Sequence, residues 1–575
     1  MLRKLILAGA LLALAAVPVA GAAKAQRPVE LLPGVTYDRQ LTFTPHGPVV
    51  LHVVTAPRPG GLYTLGPALS NGAVVGLERL TDLQKRLSPQ TTAVGVNGDY
   101  FSAGGQPSGV VVQSGALVTA PRPDRSSVGV DATGLLHVDR VTYVGNWRGT
   151  GQRRRFQLNV AGGNNVAVLY TPAYGPTTPA AANSVEAVLP SFGPLTAGAD
   201  VTATVAQVRT GGGTPIPPGG AVLVGRGSQA PFIQREAPAG QTVVLRATLT
   251  PSWSMTQALG GGPLLVRNGK PVFNAGEAFS TDLLIPRLAR TAVGQLADGR
   301  ILLVVADGGQ PGYSVGMTNF ELAIALVRLG AVTGAALGSG GPATLALEGQ
   351  LLNRPTTAEA PLANALLLGY EGVYAPPPSE PVLSPNGDGV AESSQLAYKV
   401  VRPSEVVAQL TGPDGRVYAG DAGHRDPGTR TFAVPPPTAG PAALPEGTWR
   451  WTVSSTDDRG RRSTTERTFL LDNTLGALGL DQQLLRIGRG GATLRIHFAL
   501  ARPATVVTTV ETLTGAVLRI VSNGQLQPGQ IDLTWDARDS RNRLVRSAKL
   551  VVHVRATNEI GTVDLVAPFT ARRVA

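Results

Sequence analysis

The chain has 575 residues and no cysteine. That excludes disulfides and attachment through a lipidated cysteine, so stability must come from buried apolar area. Charged residues are scarce at 15% and aromatics at 5%, yet 43% of the chain is hydrophobic, which excludes a disordered composition. Past the N-terminus no apolar run is long enough to span a bilayer. Helix-turn-helix, zinc-finger and aromatic-rich basic patterns are also missing, so the formal charge of +12 does not point to nucleic acid. A basic chain of this kind is drawn instead to anionic sugar-phosphate or other envelope glycans. Its densest basic run is Arg153-Arg154-Arg155.

What is present begins with an export signal. Arg3 and Lys4 precede an apolar stretch from Leu5 to Ala20, and Ala23-Lys24-Ala25 fits a small-residue cleavage site before Gln26. Residues 1–25 therefore read as a signal peptide, which predicts a periplasmic, cell-surface or extracellular protein with no transmembrane span after cleavage.

Glycine (71) and proline (46) favour many turns. Residues 26–90 lead in with strand-like alternation around Val49–Val54, and Val74–Leu87 is expected to be a short amphipathic helix. A strand is predicted at Thr92–Val96, and short strands separated by turns run from about 105 to 255. Asn268-Gly269 and Asp298-Gly299 mark two hairpins, pairing Leu264–Val266 with Pro271–Phe273 and Thr291–Gln295 with Arg300–Ala306. Thr318 and Glu321 form a capping box for a helix whose predicted apolar face is Phe320, Ala323, Ile324 and Val327. A strand at Ala331–Leu337 follows. Residues 91–374 make up the main domain, and 375–381 is a Pro-rich linker. Beyond it, Val401-Arg402-Pro403 recurs as Ala501-Arg502-Pro503, and Ser455–Gly460 recurs as Ala556–Gly561. Two β units are expected, 382–474 and 475–575, each the size of an immunoglobulin-like sandwich.

Three carboxylates stand at strand ends or a helix start: Asp99, Asp307 and Glu321. Glycine clusters at Gly260–Gly262 and Gly338–Gly341 let backbone N–H groups approach an anion, and Arg290 offers a fixed cation. Carboxylates beside an anion cradle suit hydrolysis at a sugar or phosphate centre. The same residues also have structural readings: a cap for Glu321, strand-ending turns for Asp307 and Asp99, and an ion pair for Arg290.

Five blocks in order resemble the phosphodiester glycosidase family: Ala93–Phe101, Gly260–Lys270, Arg290–Gly294, Val304–Gly308 and Gly316–Ala323. The resemblance implies an α+β glycosidase-like domain with much β-structure, acting on sugar-phosphate diesters. It implies Asp307 or Glu321 as acid or base, the two catalytic candidates, and Arg290 as the phosphate holder. Asn97, Asp99, Thr291, Gly261, Gly340, Gly341 and Thr344 would line the substrate pocket. One departure stands out. Gly338 and Pro342 occupy the positions of the family's Asp and Ser, which leaves a catalytically inactive, glycan-binding relative as the alternative. The C-terminal half resembles bacterial surface modules at Leu383–Gly389 and the immunoglobulin-like domain of flagellar hook-capping proteins at Leu533–Asp539. Asn386, Asp388 and Glu392 have the oxygen-ligand spacing of a Ca²⁺ site, and no other cofactor is implied.

Overall fold

A computed structural model describes residues 28–272, 276–436 and 444–574. The signal at 1–25 and Phe273 lie outside the described residues.

The first sheet has eight antiparallel strands, in the order Val29–Leu32, Val35–Thr44, Gly47–Ala56, Ile301–Ala306, Arg290–Leu296, Ala331–Ala336, Leu264–Arg267 and Lys270–Pro271. The lead-in strands thus sit in the same sheet as residues from 264–336. Both predicted hairpins are present. Arg267 pairs with Lys270 across Asn268 and Gly269, whose φ angles of 52° and 70° make the left-handed turn that two-residue hairpins favour.

A second sheet, ordered Gln350–Leu351, Leu345–Leu347, Thr92–Asn97, Asn364–Tyr370 and Tyr63–Leu69, faces the first. Val293, Leu303 and Val305 of the first sheet, Val94, Val96, Leu366 and Leu368 of the second, and Val128 and Val130 of a third form the shared core. Strand alternation sends neighbours to opposite faces. Val293 therefore enters this core, while Ala292, Leu302 and Val304 pack under a helix on the other side. Thr291 and Arg290 are separated in the same way.

Four α-helices are described, α1 (Leu80–Leu87), α2 (Ala230–Glu236), α3 (Thr281–Leu284) and α4 (Asn319–Arg328), besides two single 3-10 turns. α1, with 8 residues, lacks the first six of the predicted stretch. The N–H groups of Val74, Gly76 and Glu78 bond to Ala173, Gly105 and Leu362, so tertiary partners hold that stretch extended. α4 carries both halves of the predicted capping box. Its buried face is Asn319, Leu322, Ala323 and Leu326, one step round from the predicted stripe, and Phe320 is exposed. The 319/322/323/326 spacing places Leu322, Ala323 and Leu326 against the sheet.

Residues Thr142–Thr250 build an eight-stranded sheet of their own around Trp147, Phe156, Leu223 and Leu245. After Tyr370, two units share one strand order. In the first, a five-stranded sheet (Val382–Leu383, Arg462–Leu471, Gly447–Asp457, Ser404–Thr411, Val417–Arg425) accompanies the pair Ser394–Val400 and Gly428–Val434. The second repeats this with Leu484–Ile487, Thr562–Arg573, Ala548–Thr557, Ala504–Thr512 and Val517–Leu526, accompanied by Leu475–Leu480, Leu494–Leu500 and Gly529–Trp535. In each, the short first strand pairs parallel with the last. Trp449 and Trp451 fill one core and Trp535 the other. The Pro-rich stretch is tied at both ends: Ala375 is buried in the first repeat, and Pro381 O accepts the Leu470 N–H. No helix among the described residues is long and apolar enough to cross a membrane.

Candidate functional site

Strand Thr92–Asn97 ends in a buried knot. Asn97 Oδ1 accepts from Thr291 Oγ1 at 2.6 Å and from Thr344 N at 3.2 Å, and its Nδ2 donates to Gly338 O at 2.8 Å. Thr291 and Thr344 have no exposed surface, and Asn97 has 1%. One amide thus ties both facing sheets to the Gly338–Pro342 turn. These three predicted pocket residues come together as the frame beneath that turn, away from solvent. Gly340 N–H is spent on Ala289 O, yet a Cβ on Gly340 or Gly341 would meet nothing within 4 Å, so the turn borders open space.

Gly261 serves close packing. Its N–H donates to Ser126 O, and a Cβ there would lie 3.0 Å from Ala336 O. Asp99 is enclosed beside it. Its Oδ2 accepts the Gly109 N–H at 2.6 Å and its Oδ1 the Tyr100 N–H at 2.7 Å. Burial pushes the carboxyl up to about 7, against the pull of those N–H groups and of Arg125 and Arg122. An unfolded Asp titrates near 4, so between about pH 4 and 7 the folded chain keeps a proton that the unfolded chain has released. This contribution is full below about pH 4 and is lost as pH rises through 7. Compared with Asp99→Asn, which cannot ionise, the wild type should lose about 2–4 kcal/mol between pH 4 and 8 in urea denaturation. A difference that stays constant with pH refutes this.

Arg290 lies on the helix side of the sheet with no exposed surface. Its guanidinium donates to three carbonyls: Met317 O at 3.0 Å, Leu283 O at 2.6 Å and Pro286 O at 2.7 Å. It therefore fastens the 281–286 segment containing α3 and the approach to α4. Tyr100 is near enough to favour its charge, although burial works against that charge. Burial also raises the Tyr100 phenol, while Ser339, Arg290 and Arg125 favour its ionised form. Ser339 Oγ is buried and makes no hydrogen bond of ordinary geometry.

Residues unmarked by the sequence motifs complete the wall. The Arg125 guanidinium lies over the rings of Phe279 (4.2 Å) and Tyr100 (5.5 Å), and its Nε donates to Ala278 O. Glu277 anchors the same segment by accepting from Ser126 N and Oγ and from Leu264 N. The only sequence signal for Arg125 is its place in the turn Pro121-Arg122-Pro123-Asp124 before a strand.

The other two predicted carboxylates are engaged elsewhere. Asp307 is fully buried. It accepts from Tyr313 OH at 3.0 Å, Asn353 Nδ2 at 2.9 Å and Arg354 N at 3.1 Å, and it meets His52 Nε2 at 2.8 Å. His52 Nδ1 in turn lies 2.8 Å from Tyr37 OH. Glu321 joins the capping box and pairs with Arg287 (Nη1 to Oε2, 2.8 Å). Burial alone would raise its carboxyl, but hydrogen bonds from Arg287 and Thr318 hold it below the usual range. The Arg287–Glu321 pair lines a groove of about 560 Å³ between α4 and the Val35–Thr44 strand.

In the C-terminal half, Asn386 Oδ1, Asp388 Oδ1 and Glu392 Oε1 accept the loop N–H groups of Asp388, Val390 and Gly389. Asp388 Oδ2 and Asn386 Nδ2 reach Ala477 N and Leu475 O, joining one repeat to the next. Among the described residues no three His, Cys, Asp or Glu side chains group as a metal site.

Comparison with known proteins agrees with part of this picture. No curated protein matches the chain in sequence. Among solved structures, a hypothetical protein from Synechocystis is 26% identical with a TM-score of 0.50, and the match covers 61% of this chain and 64% of that one. The chain thus spans under two thirds of that protein's length. A Burkholderia pseudomallei protein is 22% identical (TM-score 0.45; 56% of this chain, 74% of that one). The zebrafish N-acetylglucosamine-1-phosphodiester α-N-acetylglucosaminidase catalytic domain is 16% identical (TM-score 0.33; 60% and 86%). The Asn97 block lies ahead of the stretch that a family model recognises, although the fold brings it to the same turn. Residues 196–368 match the phosphodiester glycosidase family model, so the chain carries a phosphodiester glycosidase-like stretch there.

Proposed function

We propose that this protein is an exported hydrolase of sugar-phosphate diesters in an envelope or extracellular glycan, working at the turn bounded by Tyr100, Arg125, Ser339 and Gly341. The observation that carries the reading is the Arg125 guanidinium over the Tyr100 and Phe279 rings; Tyr100 follows closely along the chain from Asn97, whose amide holds Gly338 of the turn that is open at Gly340 and Gly341. The family match over 196–368 supports it. In cleavage at the sugar carbon, water adds to C1 and the C1–O bond electrons pass to a phosphate monoester. That leaving group is already a stable anion, so cations and hydrogen-bond donors do most of the work. Arg125, half-exposed at the rim, meets the phosphate. Arg290 sits enclosed and braces the wall. The two C-terminal units act as immunoglobulin-like spacers.

Turnover of a GlcNAc-1-phosphodiester model substrate tests the reading. Tyr100→Phe is expected to lower kcat by about 100-fold, and Arg125→Ala to raise KM. A purified protein with no turnover overturns it.

One observation favours a second reading, a binding protein without turnover. Position 338 is glycine, and Asp307 and Glu321 are bound to other partners. A Cβ at 338 would lie 3.0 Å from Asn97 Nδ2 and 3.2 Å from Gly98 O, so an aspartate fits after a shift of a few tenths of an ångström. Under this reading, Gly338→Asp with Pro342→Ser creates hydrolysis in an inactive parent. An active parent rules it out.

A further inference from the structure

The basic run Arg153-Arg154-Arg155 lies far in sequence from the glycine turn, within the separate Thr142–Thr250 sheet. Its three members differ in what they do. Arg154 is engaged: its guanidinium grips Glu236, with Nε to Oε2 at 2.8 Å, and stacks 3.4 Å over the Phe232 ring of α2. Arg153 and Arg155 are exposed and have no ion pair or side-chain hydrogen bond among the described residues. Both line a hollow of about 540 Å³ together with Tyr143, Gln157, Asn165 and Gln229. No carboxylate lines it. The Tyr143 hydroxyl is buried there without a hydrogen-bond partner. The hollow also borders Gly145, where a Cβ would collide with that hydroxyl at 2.2 Å and with Phe156 O at 2.6 Å.

Two guanidiniums of one sign, two residues apart, repel each other. Across the lining, the charge of Arg154 is cancelled by Glu236 and theirs is not. An anion placed between them removes that repulsion, and each planar fork suits two oxygens of a phosphate or carboxylate. Gln157 and Gln229, with the Nδ2 of Asn165, whose Oδ1 already holds the Ser228 N–H, offer the amide groups that hydrogen-bond sugar hydroxyls.

We infer that this hollow is a second binding site, distinct from the glycine turn, for an anionic glycan whose phosphate or carboxylate groups seat between Arg153 and Arg155. The site holds a polymer chain on the protein and does not itself break a bond. It stands whether or not the glycine turn catalyses hydrolysis, because its readout is binding.

The test uses the full chain and four probes at low salt: a glycerol-phosphate polymer, hyaluronan, neutral dextran and single-stranded DNA. Arg153→Gln with Arg155→Gln is compared with Arg541→Gln plus Arg546→Gln, two exposed arginines in the last repeat that remove the same charge. The expected result is binding of the phosphate polymer or hyaluronan that weakens at least 10-fold in the first pair and less than 2-fold in the second. Which polymer binds more tightly identifies the anion. Circular dichroism shows whether each variant is folded, and Arg155→Lys, which keeps the charge but not the fork, is expected to recover only part of the loss. Equal weakening by both pairs, dextran bound as well as the anionic polymers, no binding to any probe, or DNA bound more tightly than either glycan overturns the inference.

Discussion

Replacing Arg290 by methionine is expected to lower the free energy of unfolding by about 3–5 kcal/mol and to expose the 281–286 segment to hydrogen exchange. The reason is that one buried guanidinium serves three carbonyl oxygens, those of Met317, Leu283 and Pro286. Methionine fills similar volume but leaves the carbonyls of Leu283 and Pro286 without a donor, while Met317 O keeps the Leu288 N–H; each orphaned buried acceptor costs about 1–3 kcal/mol. Relaxation of the half-exposed segment recovers part of that total. Lysine keeps the charge but cannot donate in three fixed directions, so Arg290→Lys should fall between the two. Urea denaturation and amide exchange measure the effect. A loss under 1 kcal/mol with unchanged exchange would show that the segment is held by its other contacts, Leu288 with Met317 among them. The consequence for function is indirect: releasing this wall displaces the surroundings of Tyr100, so kcat should fall in the methionine variant and partly recover in the lysine one.

The second large effect concerns Asp307. Its removal in Asp307→Ala is expected to cost about 3–5 kcal/mol, the range for breaking a buried charged network from one side. His52, Tyr313, Asn353 and the Arg354 N–H all converge on its two oxygens. Without them the Leu352–Thr356 loop loses its anchor and should become the first site of proteolysis. Asp307→Asn tests whether the residue has a chemical role as well. A side-chain amide cannot accept on its nitrogen, so one or more of the N–H groups aimed at Asp307 is left unmatched and stability falls by about 1–3 kcal/mol. If Asp307→Asn instead stays within 1 kcal/mol of wild type while hydrolysis disappears, Asp307 is catalytic and the clamp is secondary.

The difference between Asp307 and Asp99 shows where sequence reading stops. Both stand at strand ends next to glycine, and both read equally well as turns or as acids. Their distinction lies in partners up to 265 residues away: Asn353 and His52 for one, Asn364 and Gly109 for the other. No local pattern encodes those distances. Glu321 was different, because a capping box is a contact between residues three apart and is legible in Thr318-x-x-Glu321. The hairpins at Asn268-Gly269 and Asp298-Gly299 were legible for the same reason. The helix at Val74–Leu87 was shortened by three backbone bonds to distant turns and loops, those of Ala173, Gly105 and Leu362, a tertiary override of a local preference.

Sequence alone determined what is local or periodic in this protein. The strands around the glycine motifs, the α4 cap and the pairing of two C-terminal units with strands beginning at 404 and 504 are of this kind. The reason is that turns, caps and alternation depend on residues within a few positions of one another. Tertiary structure alone decided which of the candidate groups share a surface. It buried Asn97, Thr291 and Thr344 as a frame, turned Arg290 and Thr291 to opposite faces of one strand, and set the Arg125 guanidinium over the Tyr100 ring. That outcome depends on strand register and on the packing of two sheets, and both are set by the sum of burial over the whole core.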